Sequence, residues 1–226
     1  MSLIPGRFLV RLAHPCPFVA RMPSVMGDHL VDLPESGRLE NLAGLGEQAN
    51  FAEVRLGWNE SGLGVQVEVR GKDQPPRGDA SKPRSSDGLT LWIDTRDSRA
   101  SHRASRYCHQ WHLLPTGGGD DHDEPCCVAV KINRAVEDAP LTPTGVIPVR
   151  VHPLRGGYRL EAFFPAARLN GYDPDQNPRL GVYYVVRDAE LGDQYLGVGG
   201  DFPYWEDPSL WEILELIRPS RSNSRS

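Results

Sequence analysis

Long apolar runs, a basic excess and a cysteine framework are all missing from this sequence. It has no stretch of about 18 consecutive apolar residues, the length a membrane-spanning helix needs. Lys and Arg number 25 against 30 Asp and Glu, a formal net charge of −5. Neutralising phosphates requires a basic surface, so neither nucleic acid nor a membrane is expected as a partner. The 4 cysteines, Cys16, Cys108, Cys126 and Cys127, lack the spacing of a disulfide framework, and adjacent cysteines such as Cys126 and Cys127 rarely bond to each other. They read as reduced, buried thiols. The opening residues, MSLIPGRFLVRL, carry a proline and two arginines where a secretory leader has its apolar stretch. The resulting expectation is a cytoplasmic protein.

Turn formers are plentiful, with 23 Gly and 20 Pro in 226 residues, and between them the apolar residues recur with period two. Val54, Leu56 and Trp58 alternate with Arg55 and Gly57, then Asn59-Glu60-Ser61-Gly62 turns the chain into Leu63, Val65, Val67 and Val69. This pattern predicts a β-hairpin with one buried face. Further alternation predicts strands at Phe8–Leu12, Leu89–Ile93, Tyr107–Leu114, Val128–Ile132, Ile147–Val151 and Tyr158–Phe164, while the fully apolar Leu180–Val186 reads as a strand and Gln194–Val198 as a further one. Pro165–Leu169 reads as one helical turn. Asp207–Ile217 fits either a capped helix or a turn followed by a strand. About nine short strands and almost no helix predict an all-β antiparallel sandwich of jelly-roll or immunoglobulin-like type. It would form a single domain over residues 1–217, with 1–50 an extended strand and connector packed on it and 218–226 a disordered tail.

The succession WNESGLGVQVEV, SDGLTLWIDTR, YCHQWHLLPTGG, GYRLEAFFPAARL and LGVYYVVRD resembles the family 9 carbohydrate-binding modules of the wider DOMON-like superfamily. Asp87 to Asp94, Gln110–Trp111 and Gly157 to Pro165 carry the resemblance. It implies a jelly-roll-like sandwich with a ligand cleft, a carbohydrate as partner and, as a cofactor, structural calcium.

The chemically crowded stretch is Ser86–Thr116. A sugar site needs flat aromatic faces and planar polar groups. Trp92 and Trp111 sit on the two strands of this stretch and Trp205 near the C-terminus, while Asp94, Arg96, His102, Arg103, Arg106 and His109 offer hydrogen bonds. The competing placement puts Trp111 and Tyr107 in the core and leaves the arginines as a solvated loop. His102, Cys108, His109, His112, His122, Cys126 and Cys127 are soft ligands close in sequence, yet strand alternation sends His109 and His112 to opposite faces, and their spacing matches no zinc motif. Asp120, Asp121, Asp123 and Glu124 offer oxygen ligands of the kind calcium takes. Asp173-x-Asp175-x-Asn177 fails as an EF-hand because Pro178 stands where glycine is needed. No nucleophile elbow is present. The reading is a non-catalytic binding domain for a glycan or small polar ligand. The alternatives are an intracellular protein-interaction or homodimerising sandwich and a metal-dependent hydrolase.

Overall fold

A computed structural model of the chain describes residues 11–24, 26–41, 49–98 and 101–218. Its elements are β1 (Ala13–Pro17), β2 (Ala52–Asn59), β3 (Gly62–Arg70), β4 (Gly88–Asp94), β5 (Cys108–Gly118), β6 (Glu124–Val130), β7 (Val149–Leu154), β8 (Gly157–Pro165), β9 (Arg179–Asp188), β10 (Gly192–Tyr195) and β11 (Glu212–Ile217). Helical structure among the described residues is confined to short 3-10 turns. The strands form a seven-stranded sheet, ordered β1-β11-β9-β4-β5-β6 with β10 also paired to β9, and a four-stranded sheet ordered β2-β3-β8-β7. The two sheets make an all-β sandwich.

The hairpin forms as its alternation predicts. Val54, Leu56 and Trp58 stand opposite Val67, Val65 and Leu63, and all six are buried. Burying side chains of this size contributes about 1.5–3 kcal/mol each. Leu160, Ala162 and Phe164 of β8 extend the same face through the β3–β8 register. The other sheet meets it with Leu89, Leu91 and Ile93 of β4 and Val182, Tyr184 and Val186 of β9, which lie directly cross-strand.

Three sequence expectations are amended. Residues 8–10 of the predicted first strand lie outside the described residues, and the observed β1 starts at Ala13. This strand runs parallel to β11, so the sandwich is not wholly antiparallel. Its prolines, Pro15 and Pro17, are tolerated because β1 is an edge strand, where a missing N–H costs no ladder bond on the open side. The ambiguous segment 207–217 resolves into a 3-10 turn, Pro208–Leu210, followed by β11; Asp207 caps the turn by accepting from the Ser209 N–H. Residues 219–226 of the expected tail lie outside the described residues.

The segment 19–33 lies across the outer face of the four-stranded sheet. Met22, Leu30, Val31 and Leu33 form a second small core with Phe163. Gly64 permits the approach, because a Cβ there would fall 2.2 Å from the Met22 sulfur.

At one end of the sandwich, Lys72 is buried among carboxylates. Its Nζ lies 2.5 Å from Asp188, 3.5 Å from Asp87 and 3.8 Å from Glu190. Asp87 also accepts from the N–H groups of Arg77 and Ala189, and Asp188 from those of Glu190 and Leu191. The lysine charge therefore holds the loop before β4 to the end of β9. Removing one partner of such a group leaves uncompensated buried charge. Lys72→Met should lower stability in urea unfolding by about 3–5 kcal/mol; a loss below about 1 kcal/mol would contradict this role.

Burial also sets the acid response. The imidazoles of His14, His109 and His112 are each pushed down to about 4, chiefly by desolvation. Between that value and the ordinary 6.5 the unfolded chain binds more protons than the native one, so stability falls as pH falls. Glu212 works the other way, because burial raises its carboxyl to about 7, and burial raises Asp94 as well. Three histidines against two carboxyls leave a net proton uptake on unfolding, worth about 1.4 kcal/mol per pH unit for each net proton. The melting temperature should fall on acidification from pH 7 to pH 5, and a flat or rising profile would contradict the assignment.

Candidate functional site

Strand β4 is buried on both faces. With Leu89, Leu91 and Ile93 turned into the sandwich, Thr90, Trp92 and Asp94 must face the opposite way. The β4–β5 register places Thr90 beside His112 and Trp92 beside Gln110. On the other side β9 brings Val185 next to Thr90 and Tyr183 next to Trp92. This outer face floors a cleft of about 230 Å³ lined by Thr90, Trp92, Gln110, His112, Val185 and Arg187. Loops complete its walls: Arg84 from before β4, Asn133 from after β6, and Tyr204 and Trp205 from between β10 and β11.

The aromatic wall is a connected cluster. Tyr204 stacks on Tyr183 at 4.7 Å between ring centroids and meets Trp92 edge-on at 5.6 Å. Trp205 stands edge-on to Tyr204 at 5.4 Å and remains 41% exposed. That exposure leaves an indole face open at the cleft mouth. Trp211 fixes the wall by donating its Nε1–H to the Tyr204 carbonyl at 2.8 Å.

The polar side is a hydrogen-bonded chain. Gln110 Nε2 lies 3.4 Å from His112 Nε2, and His112 Nδ1 lies 2.9 Å from Thr90 Oγ1. With the Gln110 amide nitrogen, which can only donate, facing it, His112 accepts at Nε2 and donates from Nδ1 to Thr90. The imidazole is neutral at ordinary pH, because burial and then the charges of Arg84 and Arg187 push it down to about 4. Thr90 is left with its hydroxyl proton to donate. Arg187 is held by Asp193 in a two-pronged pair of 3.0 and 3.1 Å, and its Nη1 donates to the Arg84 carbonyl at 2.5 Å. Burial alone would lower the Arg187 pKa, but Asp193 outweighs it and the pKa rises. The guanidinium is thus fixed, charged and oriented.

Of the residues singled out in the sequence, Trp92 and Trp205 line this cleft. Trp111 and His109 do not: they stack on each other at 4.9 Å between the sheets, and Trp111 packs on Phe164 at 4.6 Å. The reason is parity, since both share the inward face of β5 with Leu113. Asp94 is buried and accepts from the N–H groups of Arg96 and Ser98, shaping the turn after β4. Arg96 and Arg106 lie over the Tyr107 ring at 5.1 and 5.2 Å and line a separate surface depression. His102 and Arg103 act as buttresses outside the cleft. His102 Nδ1 reaches Asp207 at 3.1 Å and Ser209 at 3.0 Å, and Arg103 donates to the carbonyls of Arg134 and Ala135. These contacts tie down the loops that carry Trp205 and Asn133, which are also joined by Asn133 and Arg134 donating to Glu206.

The sequence reading missed Arg84, Thr90, Gln110, His112, Asn133, Val185, Arg187 and Tyr204. Cross-strand parity could have yielded Thr90, Gln110 and His112 once Trp111 was assigned inward. Arg84, Asn133 and Tyr204 arrive on loops distant in sequence and carried no signal.

The metal candidates of this stretch do not converge. His109 and His112 face opposite ways, as alternation predicted. The four cysteines are unbridged and buried, and burial raises every one of their thiols. Asp120, Asp121 and Asp123 are exposed in the turn between β5 and β6. Asp173 accepts from the N–H groups of Asp175 and Gln176 in a local turn.

No protein-family model and no curated protein sequence matches the chain. Solved structures do. A carbohydrate-binding module of family 9 from Caldicellulosiruptor kristjanssonii in complex with cellotriose superposes with a TM-score of 0.55 at 16% identity, over 94% of this chain and 97% of that one. The same type of module from that organism in complex with glucose gives 0.55 at 17% identity, over 92% and 98%. Together with the two-sheet architecture, these likenesses show that the chain has the β-sandwich fold seen in family 9 carbohydrate-binding modules.

Proposed function

We propose that this domain binds a carbohydrate, without turning it over, in the cleft between Trp92, Trp205 and Arg187. The observation that carries this reading is the pairing of an open indole face with fixed planar donors and acceptors in a concave site. The apolar face of a pyranose packs on an aromatic ring, and its hydroxyls need directional partners held in place beforehand. Trp205 supplies the ring, with Trp92 beneath; Arg187, Arg84, Asn133, Gln110 and Thr90 supply the partners. The cleft is large enough for one sugar ring. A wider open groove lined by Lys131, Arg134 and Asp138 continues from Arg84, Asn133 and Trp205, giving further units room to extend.

The shared fold supports the reading, since the two similar modules hold glucose and cellotriose. Binding without turnover is supported by the lining itself. No carboxylate is among the described residues that line the cleft, whereas glycoside hydrolysis ordinarily uses a pair flanking the scissile bond. A concave polar and aromatic site also favours a small ligand over a protein partner, for which a flat apolar patch would be expected.

Titration calorimetry with glucose, cellobiose, cellotriose and a panel of other oligosaccharides tests the proposal. At least one sugar should bind, Trp205→Ala should abolish detectable binding, and Arg187→Met should weaken it roughly ten- to a hundred-fold, the loss expected for one charge-assisted hydrogen bond. Trp111→Phe should leave affinity unchanged. Equal binding by wild type and Trp205→Ala would place the site elsewhere.

A further inference from the structure

On the far side of the molecule, three metal-ligating side chains converge on the outer face of the four-stranded sheet. They are His29 from the overlying segment 19–33, His152 on β7 and Glu161 on β8. One ligand atom from each lies within 4.8 Å of the others. Glu161 Oε1 is 2.7 Å from His29 Nδ1 and 3.5 Å from His152 Nε2, and the two imidazole rings are 4.6 Å apart. We propose that these residues form a zinc site that clamps the segment 19–33 to the sheet.

The donor set favours a borderline metal. Two imidazole nitrogens and one carboxylate oxygen suit zinc, whereas calcium takes oxygen ligands alone. Ligands held about 2.0–2.1 Å from a tetrahedral ion stand roughly 3.4 Å from one another, which the Glu161–His152 separation already matches. His29 must move out from its hydrogen bond to Glu161 to admit the ion, and its side chain is about half exposed.

Two features mark a built site. The Glu161 carboxylate is fully buried, and its second oxygen accepts from the Leu30 and Val31 N–H groups at 2.7 and 3.4 Å. That fixes the first oxygen toward the histidines, as outer hydrogen bonds do for metal ligands. His152 Nε2 is buried with no hydrogen-bond partner among the described residues. The neighbouring cations are committed elsewhere, Arg150 to the carbonyls of Gly27 and Asp28 and Arg159 to Glu68. An ion would therefore give the orphaned His152 nitrogen a partner and share the Glu161 oxygen that His29 now contacts.

The segment is already tied to the sheet by Asn59, Arg55 and Arg150, which donate to its carbonyls. Its described residues form no strand, and its apolar core of Met22, Leu30, Val31 and Leu33 rests on Phe163. Zinc would cross-link His29 to two adjacent strands.

The test uses the tag-free full chain stripped with EDTA, then titrated with zinc against a chromogenic chelator and checked by elemental analysis. One zinc per chain is expected, with a rise in melting temperature, and at least ten-fold weaker binding in both His29→Ala and His152→Ala. His122→Ala, an exposed histidine elsewhere, serves as the control and should bind as wild type. Cobalt substitution should give ligand-field bands with no thiolate-to-metal charge transfer. Substoichiometric zinc, undiminished binding in folded His29→Ala, or a thiolate band pointing to the cysteines would each overturn the proposal.

Discussion

Strand β4 must satisfy two buried environments at once, one apolar and one partly polar, and the rest of the molecule is arranged around that requirement. Leu89, Leu91 and Ile93 face the four-stranded sheet, while Thr90, Trp92 and Asp94 sit under loops on the other side, all six buried. Because side chains alternate strictly along a strand, the register with β5 and β9 then decides the fate of every neighbour. His109, Trp111 and Leu113 are forced into the core; Gln110 and His112 are forced into the cleft. A slip of one residue would exchange them, burying a histidine–glutamine pair in the core and exposing the tryptophan. The cleft floor is thus a consequence of how the core is paired.

The walls depend on polar ties as well as on the aromatic packing of Tyr204. Lys72 anchors the loop leading into β4 by neutralising Asp87 and Asp188. Asp193 orients Arg187, which in turn holds the Arg84 backbone. His102, Arg103, Asn133 and Arg134 lash the loops after β6 and β10 together through Asp207, Ser209 and Glu206. Individually most of these pairs are half exposed and weak. Together they restrict the loops that present Trp205 and Asn133, so the ordering cost of a bound ligand is partly met in the free protein.

Much of the fold was legible in the sequence because alternation is a local signal. The β2–β3 hairpin, β4, β8 and β9 announce themselves through Val, Leu and Tyr at every second position. β1 did not, because a strand containing Pro15, Cys16 and Pro17 is permitted only by its edge position beside β11, a non-local fact. The site was legible in part. Trp92 was found because it opposes a leucine face. Trp111 was drawn toward the cleft by its chemistry, although its alternation with Leu113 places it in the core. The cationic loop stands out by composition, yet Arg96 and Arg106 lie over the Tyr107 ring, Arg106 also pairs with Glu137, and Arg103 donates to backbone carbonyls. Composition shows which groups are available. Only the register shows which of them meet.

The central claim is that strand parity turns Trp92 toward a ligand cleft, where a loop adds Trp205, and locks Trp58 and Trp111 in the core. The chain contains 5 tryptophans, and each indole N–H gives its own signal in a proton–nitrogen NMR spectrum. Addition of a bound oligosaccharide should shift the signals of Trp92 and Trp205 and leave those of Trp58 and Trp111 in place. Shifts at Trp58 or Trp111 with Trp92 and Trp205 unmoved would contradict the account.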